Sequence, residues 1–181
     1  MEQSLIKVKE ALVGGSDQPP LALKASDTAA IVQGVMLSLG HKNGRVQTAA
    51  LACIAPFAAA LVDKSAVVPI AEQLCQALAG EPGESRENAN LGLRDLTENG
   101  LTDIATAQPV VDVLVPSLAT RVQAADKHAL THLYTLLVKF GTLCSASHAA
   151  LQTDLFGLFA PGMDQTLAFH ATRCCGALIS A

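Results

Sequence analysis

Two histidines have a spacing that can hold a metal ion. His128 and His132 lie four residues apart, so on a helix they share one face. Zinc enzymes use this spacing in the HExxH motif, but here the glutamate is absent and no third ligand lies nearby in sequence. Helical-repeat hydroxylases hold iron with His-Glu pairs, and Glu follows none of the five histidines. We therefore expect a partly exposed histidine pair on a helix, with no metal and no cofactor.

Thiol catalysis is the second chemistry to test. Cys174 and Cys175 are adjacent, but a nucleophilic thiol needs a positioned base and an electropositive setting. Both lie on an apolar helix, which favours packed core thiols, and Cys53, Cys75 and Cys144 have the same interpretation. The five cysteines are an odd number without CxxC spacing, which indicates a reducing compartment, so we expect a cytoplasmic and nuclear protein.

Composition argues against several further functions. The chain has no GxxxxGK[ST] loop and no GxGxxG turn, so nucleotide binding has no support. The formal net charge of −4 argues against nucleic acid, whose binding proteins usually present a basic face. The longest apolar stretch, Ala49 to Val62, has about 14 residues, whereas a bilayer span needs roughly 20. We expect no enzyme activity, no nucleic-acid partner and no membrane partner.

A block that recurs four times organises the chain. Each copy is a polar turn followed by an amphipathic helix, and the copies begin at His41, Pro82, Ala124 and Met163. Aligning the copies produces one shared apolar column, which consists of Ile54, Leu93, Leu133 and Cys175. The spacings between these positions are about 39, 40 and 42 residues, which is the range of helical repeats. A unit of this kind must stack on neighbours to bury its apolar face, so it offers a broad surface rather than a pocket.

The repeat and the composition together predict the fold. Half of the residues are hydrophobic and only 3% are aromatic, so Ala, Leu and Val must fill a core between closely packed helices. We predict an all-α, HEAT-type α-solenoid, a right-handed superhelix of antiparallel helix pairs with about four repeats. The predicted array is single and covers 1–181, with a partial first repeat at 1–25 and helix pairs at 26–64, 65–104, 105–145 and 146–181.

Local signals set the predicted helix limits. The expected helices after the first, Ser4–Val13, are one from Ser26 to Leu39, then Arg45–Val62, Ser65–Ala79, Glu84–Glu98, Pro109–Val122, Asp126–Phe140, Ser147–Phe159 and Asp164–Ile179. Ser26 and Ser65 are predicted N-caps, and Pro109 is predicted in a first turn. Pro56 and Pro116 predict bends, and Gly100 predicts a left-handed helix end.

Candidate binding residues lie on the second helix of each pair and on the turn before it. They are Asn43, Arg45, Gln47, Arg86, Asn90, Arg94, Lys127, Thr131 and Tyr134. An ordinary solvated helix face explains any one of them about as well as a partner contact does. Arg and Tyr have a modest advantage because both are enriched in binding hot spots.

Several runs of the sequence support a more specific interpretation. The run KNGRVQTAALACIAPFAAALV, the following AEQLCQAL and then SRENANLGLRDLTENGL resemble the beginning of the cullin-associated, neddylation-dissociated protein family, and HAALQTDLFGLFAPGMDQTLAFHATRCCGALIS resembles a later repeat of it. The resemblance extends from about Ala30 to the C-terminus. It implies an N-terminal HEAT segment that binds an unneddylated cullin with its RING subunit near the cullin's modification lysine, and that occludes this site.

Two alternatives remain open beside that family. A generic HEAT or armadillo-type adaptor for tubulin or transport is one, although the absence of Trp argues against tubulin. A HEAT-scaffold metal enzyme is the other. Because the chain begins and ends abruptly, we expect a segment of a longer protein or one half of a split one, with a second polypeptide carrying the remaining repeats.

Overall fold

The fold is built from α-helices. The computed structural model describes residues 1–14, 23 and 25–180, without the side chains of residues 25 and 26, and this part of the chain contains no strand. The prediction of an all-α fold is confirmed at this level. The helices are α1 (Glu2–Val13), α2 (Ala25–Leu39), α3 (Gly44–Ala60), α4 (Val68–Leu78), α5 (Glu84–Asp95), α6 (Ile104–Val122), α7 (Lys127–Phe140), α8 (His148–Gly157) and α9 (Gln165–Ser180).

Short helical segments of other types join some of these helices. Lys64–Val67 and Gly141–Ser147 are 3-10 turns, and Leu96–Gly100 is a π-helical turn that extends α5. Among the described residues, no helix is both long enough and apolar enough to cross a membrane.

The chain forms two compact units. The first unit is Met1–Ala107 and the second is Gln108–Ala181. In the first unit α1, α3 and α5 form one layer, because α3 packs against both α1 and α5. Helices α2 and α4 contact each other and form the other layer, in which α2 packs on α3 and α4 packs on α5. In the second unit α9 packs against α7 and α8. Two layers of this kind are what stacked helix pairs require. The repeat limits predicted above stay predictions.

The shared apolar column marks the core of both units. Ile54, Leu93 and Leu133 are fully buried, as the alignment predicts. In α9, however, Cys174 is fully buried and Cys175 is only half-buried. The core-facing position of the last copy is therefore one residue earlier than the alignment places it. Adjacent residues of a helix point about 100° apart, and in α9 that rotation turns Cys175 partly away from the core.

Aspartate and asparagine cap several helices. Asn43 Oδ1 accepts the N–H of Arg45 at the start of α3, at 2.9 Å. Asp63, not Ser65, caps the turn before α4, because the Ser65 N–H donates to Asp63 Oδ1 at 2.9 Å. A carboxylate at this position accepts amide hydrogen bonds, and its negative charge interacts favourably with the positive end of the helix dipole.

One further predicted helix start is wrong. Pro109 is not in a first turn, since α6 begins at Ile104, where Asp103 Oδ1 accepts the N–H of Ala105 at 3.0 Å. Helix α2 begins at Ala25, and the predicted cap by the Ser26 side chain lies outside the described residues. The prolines Pro56 and Pro116 do lie inside α3 and α6.

The buried side chain of Lys64 donates hydrogen bonds to carbonyl groups at the C-terminal end of α3. Its side chain is only 3% exposed, and Nζ donates hydrogen bonds to the carbonyl oxygens of Ala58 and Leu61, both at 2.5 Å. These carbonyls belong to the last turn of the helix and its C-cap, where the regular intrahelical amide partners are missing. The Leu61 N–H also donates to the Ala58 oxygen, at 3.4 Å. Burial lowers the pKa of Lys64, and the nearby Asp103 carboxylate opposes that shift.

Gly100 is required for close packing rather than for a left-handed backbone. Positive φ angles among the described residues occur at Gly14, Ala125 and Gly162, so the predicted left-handed conformation of Gly100 is wrong. A Cβ at position 100 would lie 2.9 Å from Ala58 Cβ and 3.3 Å from Ala55 Cα. Two small residues of α3 and this glycine thus allow the end of the π-helical turn to approach α3.

We expect Gly100→Ala to destabilise the first unit by about 1 to 3 kcal/mol, because the added methyl group would meet Ala58 Cβ and Ala55 Cα. Leu96 Cδ1, at 3.2 Å, can turn aside, but these two atoms of α3 cannot move without the helix. Urea unfolding followed by circular dichroism measures the loss. Gly34→Ala in α2 is the matched control, since nothing lies within 4 Å of its added methyl group. Its greater helix propensity predicts a gain of about 0.5 to 1 kcal/mol. Equal effects of the two variants would contradict the packing argument.

Candidate partner-binding surface

The nine predicted binding residues divide between the two units. Those on the first unit form what we call the α3/α5 surface, which consists of Asn43, Arg45, Gln47, Arg86, Asn90 and Arg94. Those on the second unit lie on α7 and are joined by residues of α9. This α7/α9 surface consists of Lys127, Thr131, Tyr134, Asp164, Phe169, His170 and Arg173.

Hydrogen bonds fix the beginning of the α3/α5 surface. Gln47 is half-buried, and its Nε2 donates to the carbonyl oxygen of His41 at 2.7 Å. Asn88 Nδ2 of α5 donates to Gln47 Oε1 at 2.7 Å. Gln47 therefore ties the turn before α3 to α5, and a partner would meet a side chain that is already held in place.

The arginines of this surface differ in exposure. Arg45 and Arg94 are exposed, whereas Arg86 and Asn90 are half-buried. The first turns of α3 and α5 approach closely, since Glu84 Oε1 would lie 3.1 Å from a Cβ placed at Gly44. This arrangement leaves Arg45 and Arg94 as the charged groups of the surface that a partner can reach without displacing packed atoms.

Arg45 also borders an open groove on the first unit. The groove lies between α1 and α3, has a volume of about 990 Å³ and contains the apolar Ile6 and Val13. The carboxylates of Glu2 and Glu10 and the ammonium of Lys9 share its lining. Because both signs of charge are mixed with apolar surface, the groove does not indicate one class of ligand.

An arginine stacked on aromatic rings forms the centre of the α7/α9 surface. The guanidinium carbon of Arg173 lies 3.8 Å from the centre of the Tyr134 ring and 5.4 Å from that of Phe169. Phe169 in turn meets the His170 ring edge to face at 5.4 Å. Cation–π contacts of this kind hold a guanidinium plane in one orientation while its edge remains able to donate hydrogen bonds.

Polar contacts connect the other members of this surface. Lys127 Nζ lies 2.9 Å from Asp164 Oδ1, and both side chains are about half exposed. Thr131 Oγ1 lies 3.4 Å from His170 Nδ1. Asp164 Oδ1 also accepts the N–H of Leu167 at 3.0 Å, so this carboxylate caps α9 as well as pairing with the lysine.

Charged neighbours shift the pKa of two groups on the α7/α9 surface. The pKa of His170 is lowered, first by burial and then by the neighbouring charges, of which Arg173 and Lys127 are the largest. The pKa of Asp164 is lowered, chiefly by its hydrogen bond from Lys127. The charges of Lys127 and Asp164 thus offset each other, while Arg173 keeps its charge beside His170.

Of the residues selected from the sequence, Lys127 and Thr131 are exposed and Tyr134 is half-buried; sequence reasoning missed Phe169 and Arg173. The fourth repeated block contains a signal that could have identified these two residues, because both lie between the apolar positions of its helix. Its buried residues in α9 are Leu167, Ala171 and Cys174. Phe169 and Arg173 lie one turn apart and both are exposed.

The histidine pair is not an exposed pair. His132 is only 2% exposed, and His128 is half-buried, so the prediction of a partly exposed pair is wrong for His132. The apolar stripe of α7 explains the burial, because Ala129, Leu133 and Leu136 face the core on the same side. Within the described part of the chain, no group of three or more His, Cys, Asp or Glu residues could hold a metal ion.

The cysteine side chains are packed. Cys174 Sγ donates to the carbonyl oxygen of Leu130 at 3.2 Å, and Cys53 Sγ donates to that of Leu5 at 3.1 Å. Burial raises the pKa of Cys174 to about 12 and that of Cys144 to about 11. A thiol with such a pKa stays protonated at neutral pH, and the thiolate is the nucleophile. These cysteines have a structural role.

Comparison with known proteins supplies no family. No known protein family matches the chain, and no curated protein matches it.

Proposed function

We propose that the chain is a non-enzymatic protein-binding scaffold. Its helix pairs belong to a HEAT-type α-solenoid, and the chain corresponds to the N-terminal HEAT segment of a cullin-associated, neddylation-dissociated protein. The partner is an unneddylated cullin with its RING subunit, and binding occludes the cullin's modification site. The motifs that support this family are NGRVQ in the turn before α3 and LGLRDL at the end of α5.

The two-layer packing of the first unit supports the HEAT assignment. Helices α1, α3 and α5 follow one another in one layer, while α2 and α4 make the other. In a repeat array, alternate helices of the chain occupy the same layer because each unit contacts only its neighbours. The layer that contains α3 and α5 carries the polar residues of the α3/α5 surface.

One observation carries the binding role. Gln47 of α3 and Asn88 of α5 are joined by a 2.7 Å hydrogen bond, so polar side chains of successive second helices form one surface. A surface that spans two helices and holds its side chains in place loses little conformational entropy when a partner binds. Arg45 and Arg94 then supply exposed charge beside that fixed pair.

The test is a titration of the chain with purified unmodified cullin–RING complex. We expect Arg94→Glu to weaken binding at least about tenfold, since arginines at interface centres often contribute more than 1 kcal/mol. Arg86→Glu has the same expected direction, but this side chain is half-buried, so circular dichroism must show that the helices remain. Gln76→Glu, an exposed position of α4 in the other layer, is the control and should bind normally.

Unchanged affinity for Arg94→Glu and Arg86→Glu would remove both arginines from the interface. Absence of binding by the folded wild-type chain would reject the cullin partner and favour an adaptor for another protein.

A further inference from the structure

The α7/α9 surface combines cationic, aromatic and apolar groups in a way that identifies a ligand class. The formal net charge of the chain is −4, and the cations of this surface are Lys127 and Arg173. Lys127 lies 2.9 Å from the carboxylate of Asp164, which also accepts the amide of Leu167, so these two charges offset each other. The charge that this surface offers to a partner is therefore that of Arg173, and an exposed cation attracts acidic partners.

Neighbouring charged groups do not cancel this charge. Asp126, at the N-terminus of α7, is 6% exposed, and its carboxylate pairs with Arg121. His132 is buried in the core.

Arg173 is oriented for carboxylate recognition. Its guanidinium lies 3.8 Å from the Tyr134 ring centre, and the side chain is exposed. Among the described residues it makes no salt bridge. A guanidinium that stacks on a ring keeps its edge N–H groups available, and these match the two oxygens of a carboxylate.

Phe169 adds an apolar contact next to this cation. Its side chain is 57% exposed although the residue is large and hydrophobic, and its ring lies 5.4 Å from the Arg173 guanidinium. Exposed aromatic residues beside arginine are typical of binding hot spots. A partner that suits both groups has carboxylates together with a hydrophobic side chain.

We propose that the α7/α9 surface binds an acidic segment of a partner protein, with a carboxylate on Arg173 and an aromatic or aliphatic side chain on Phe169. This inference rests on the proposed function in that it assumes a protein partner. Tyr134 holds the arginine in its binding orientation.

The probe is a fluorescein-labelled peptide of sequence GEDFEDLEG, measured by fluorescence anisotropy against the full chain. We expect saturable binding that weakens as salt rises from about 50 to 300 mM, because exposed charges are screened over about a Debye length. The matched peptide GKKFKKLKG should not bind. A labelled ten-nucleotide oligouridine tests the other class of anionic polymer, and tighter binding of this RNA would overturn the proposal.

Variants locate the site. Arg173→Ala and Phe169→Ala should each weaken the acidic peptide at least about fivefold. Arg173→Lys should restore only part of the loss, because lysine keeps the charge without the planar fork. Lys7→Ala removes an exposed cation from α1 on the first unit, outside both candidate surfaces; it is the control and should bind the peptide as the wild type does. Equal binding by Arg173→Ala and the wild type, or no peptide binding up to about 1 mM, would reject the inference.

A parallel titration with the unmodified cullin–RING complex separates the two proposals. Peptide binding that depends on Arg173, without binding of the cullin complex, rejects the cullin partner and retains the acidic-segment site. Cullin binding that Arg173→Ala leaves unchanged, without peptide binding, rejects the α7/α9 site and retains the proposed function.

Discussion

Leu133→Ala is expected to lower the free energy of unfolding by about 2 to 5 kcal/mol, the range for truncating a fully buried leucine. Leu133 has no exposed surface, lies in the middle of α7 and occupies the apolar column that defines the repeat. Its loss removes apolar surface burial and leaves a cavity on a helix whose other buried residues include Leu130, Leu136 and Leu137. Equilibrium urea unfolding, followed by the helical circular dichroism signal, measures the change.

Val138→Ala is the matched control on the same helix. The valine side chain is 62% exposed, so the expected change in stability is within about 0.5 kcal/mol. A loss for Leu133→Ala no larger than that for Val138→Ala would mean that α7 does not use this face for packing. The repeat assignment of the column would then be wrong.

Asp126→Ala is expected to destabilise the second unit by about 2 to 3 kcal/mol. Asp126 Oδ1 caps α7 by accepting the N–H groups of His128 at 3.0 Å and Ala129 at 3.5 Å. Its Oδ2 lies 3.2 Å from a guanidinium nitrogen of Arg121. Loss of an N-cap typically costs about 1 kcal/mol, and removing one partner of a mostly buried ion pair adds to that. Thermal and urea unfolding of the variant test this value.

Asp126→Asn separates the two contributions. The amide oxygen can still accept the backbone N–H groups, while the negative charge that faces Arg121 is lost. We expect it to retain roughly half or more of the stability that Asp126→Ala loses, because Asn is a good N-cap residue. If Asp126→Asn is as unstable as Asp126→Ala, the ion pair dominates and the cap contributes little.

The helical pattern was predictable because it is local. The burial of Ile54, Leu93 and Leu133 follows from apolar residues that recur with the period of a helix. The accessible placement of Lys127 and Thr131 follows from the same periodicity. In α9 the alignment was off by one residue, since two adjacent cysteines are equally apolar in the sequence.

Features that depend on a distant neighbour could not be predicted. The need for Gly100 arises from α3, more than forty residues earlier in the chain, and periodicity within one helix contains no information about that approach. The stacking of Arg173 on Tyr134 joins two helices in the same way. In the sequence, Lys64 is an ordinary polar residue just after the end of an apolar stretch. It is buried only because of the path that the chain takes after α3.

The candidate surfaces show the same contrast between local features, which the sequence predicts, and features that depend on distant contacts. Sequence reasoning selected arginines and tyrosine by residue type, and exposure retains Arg45 and Arg94 as accessible members. Gln47, by contrast, uses its side-chain amide to hold α5 against α3, which no sequence pattern reveals.

Side-by-side titration of the chain with unmodified and neddylated cullin–RING complexes tests the scaffold proposal most directly. The account predicts saturable binding of the unmodified complex and at least about tenfold weaker binding of the neddylated one, because the occupied modification site and the chain would compete for the same space. Equal affinity for both complexes would contradict occlusion of that site, and no binding to either by the folded chain would contradict the cullin partner.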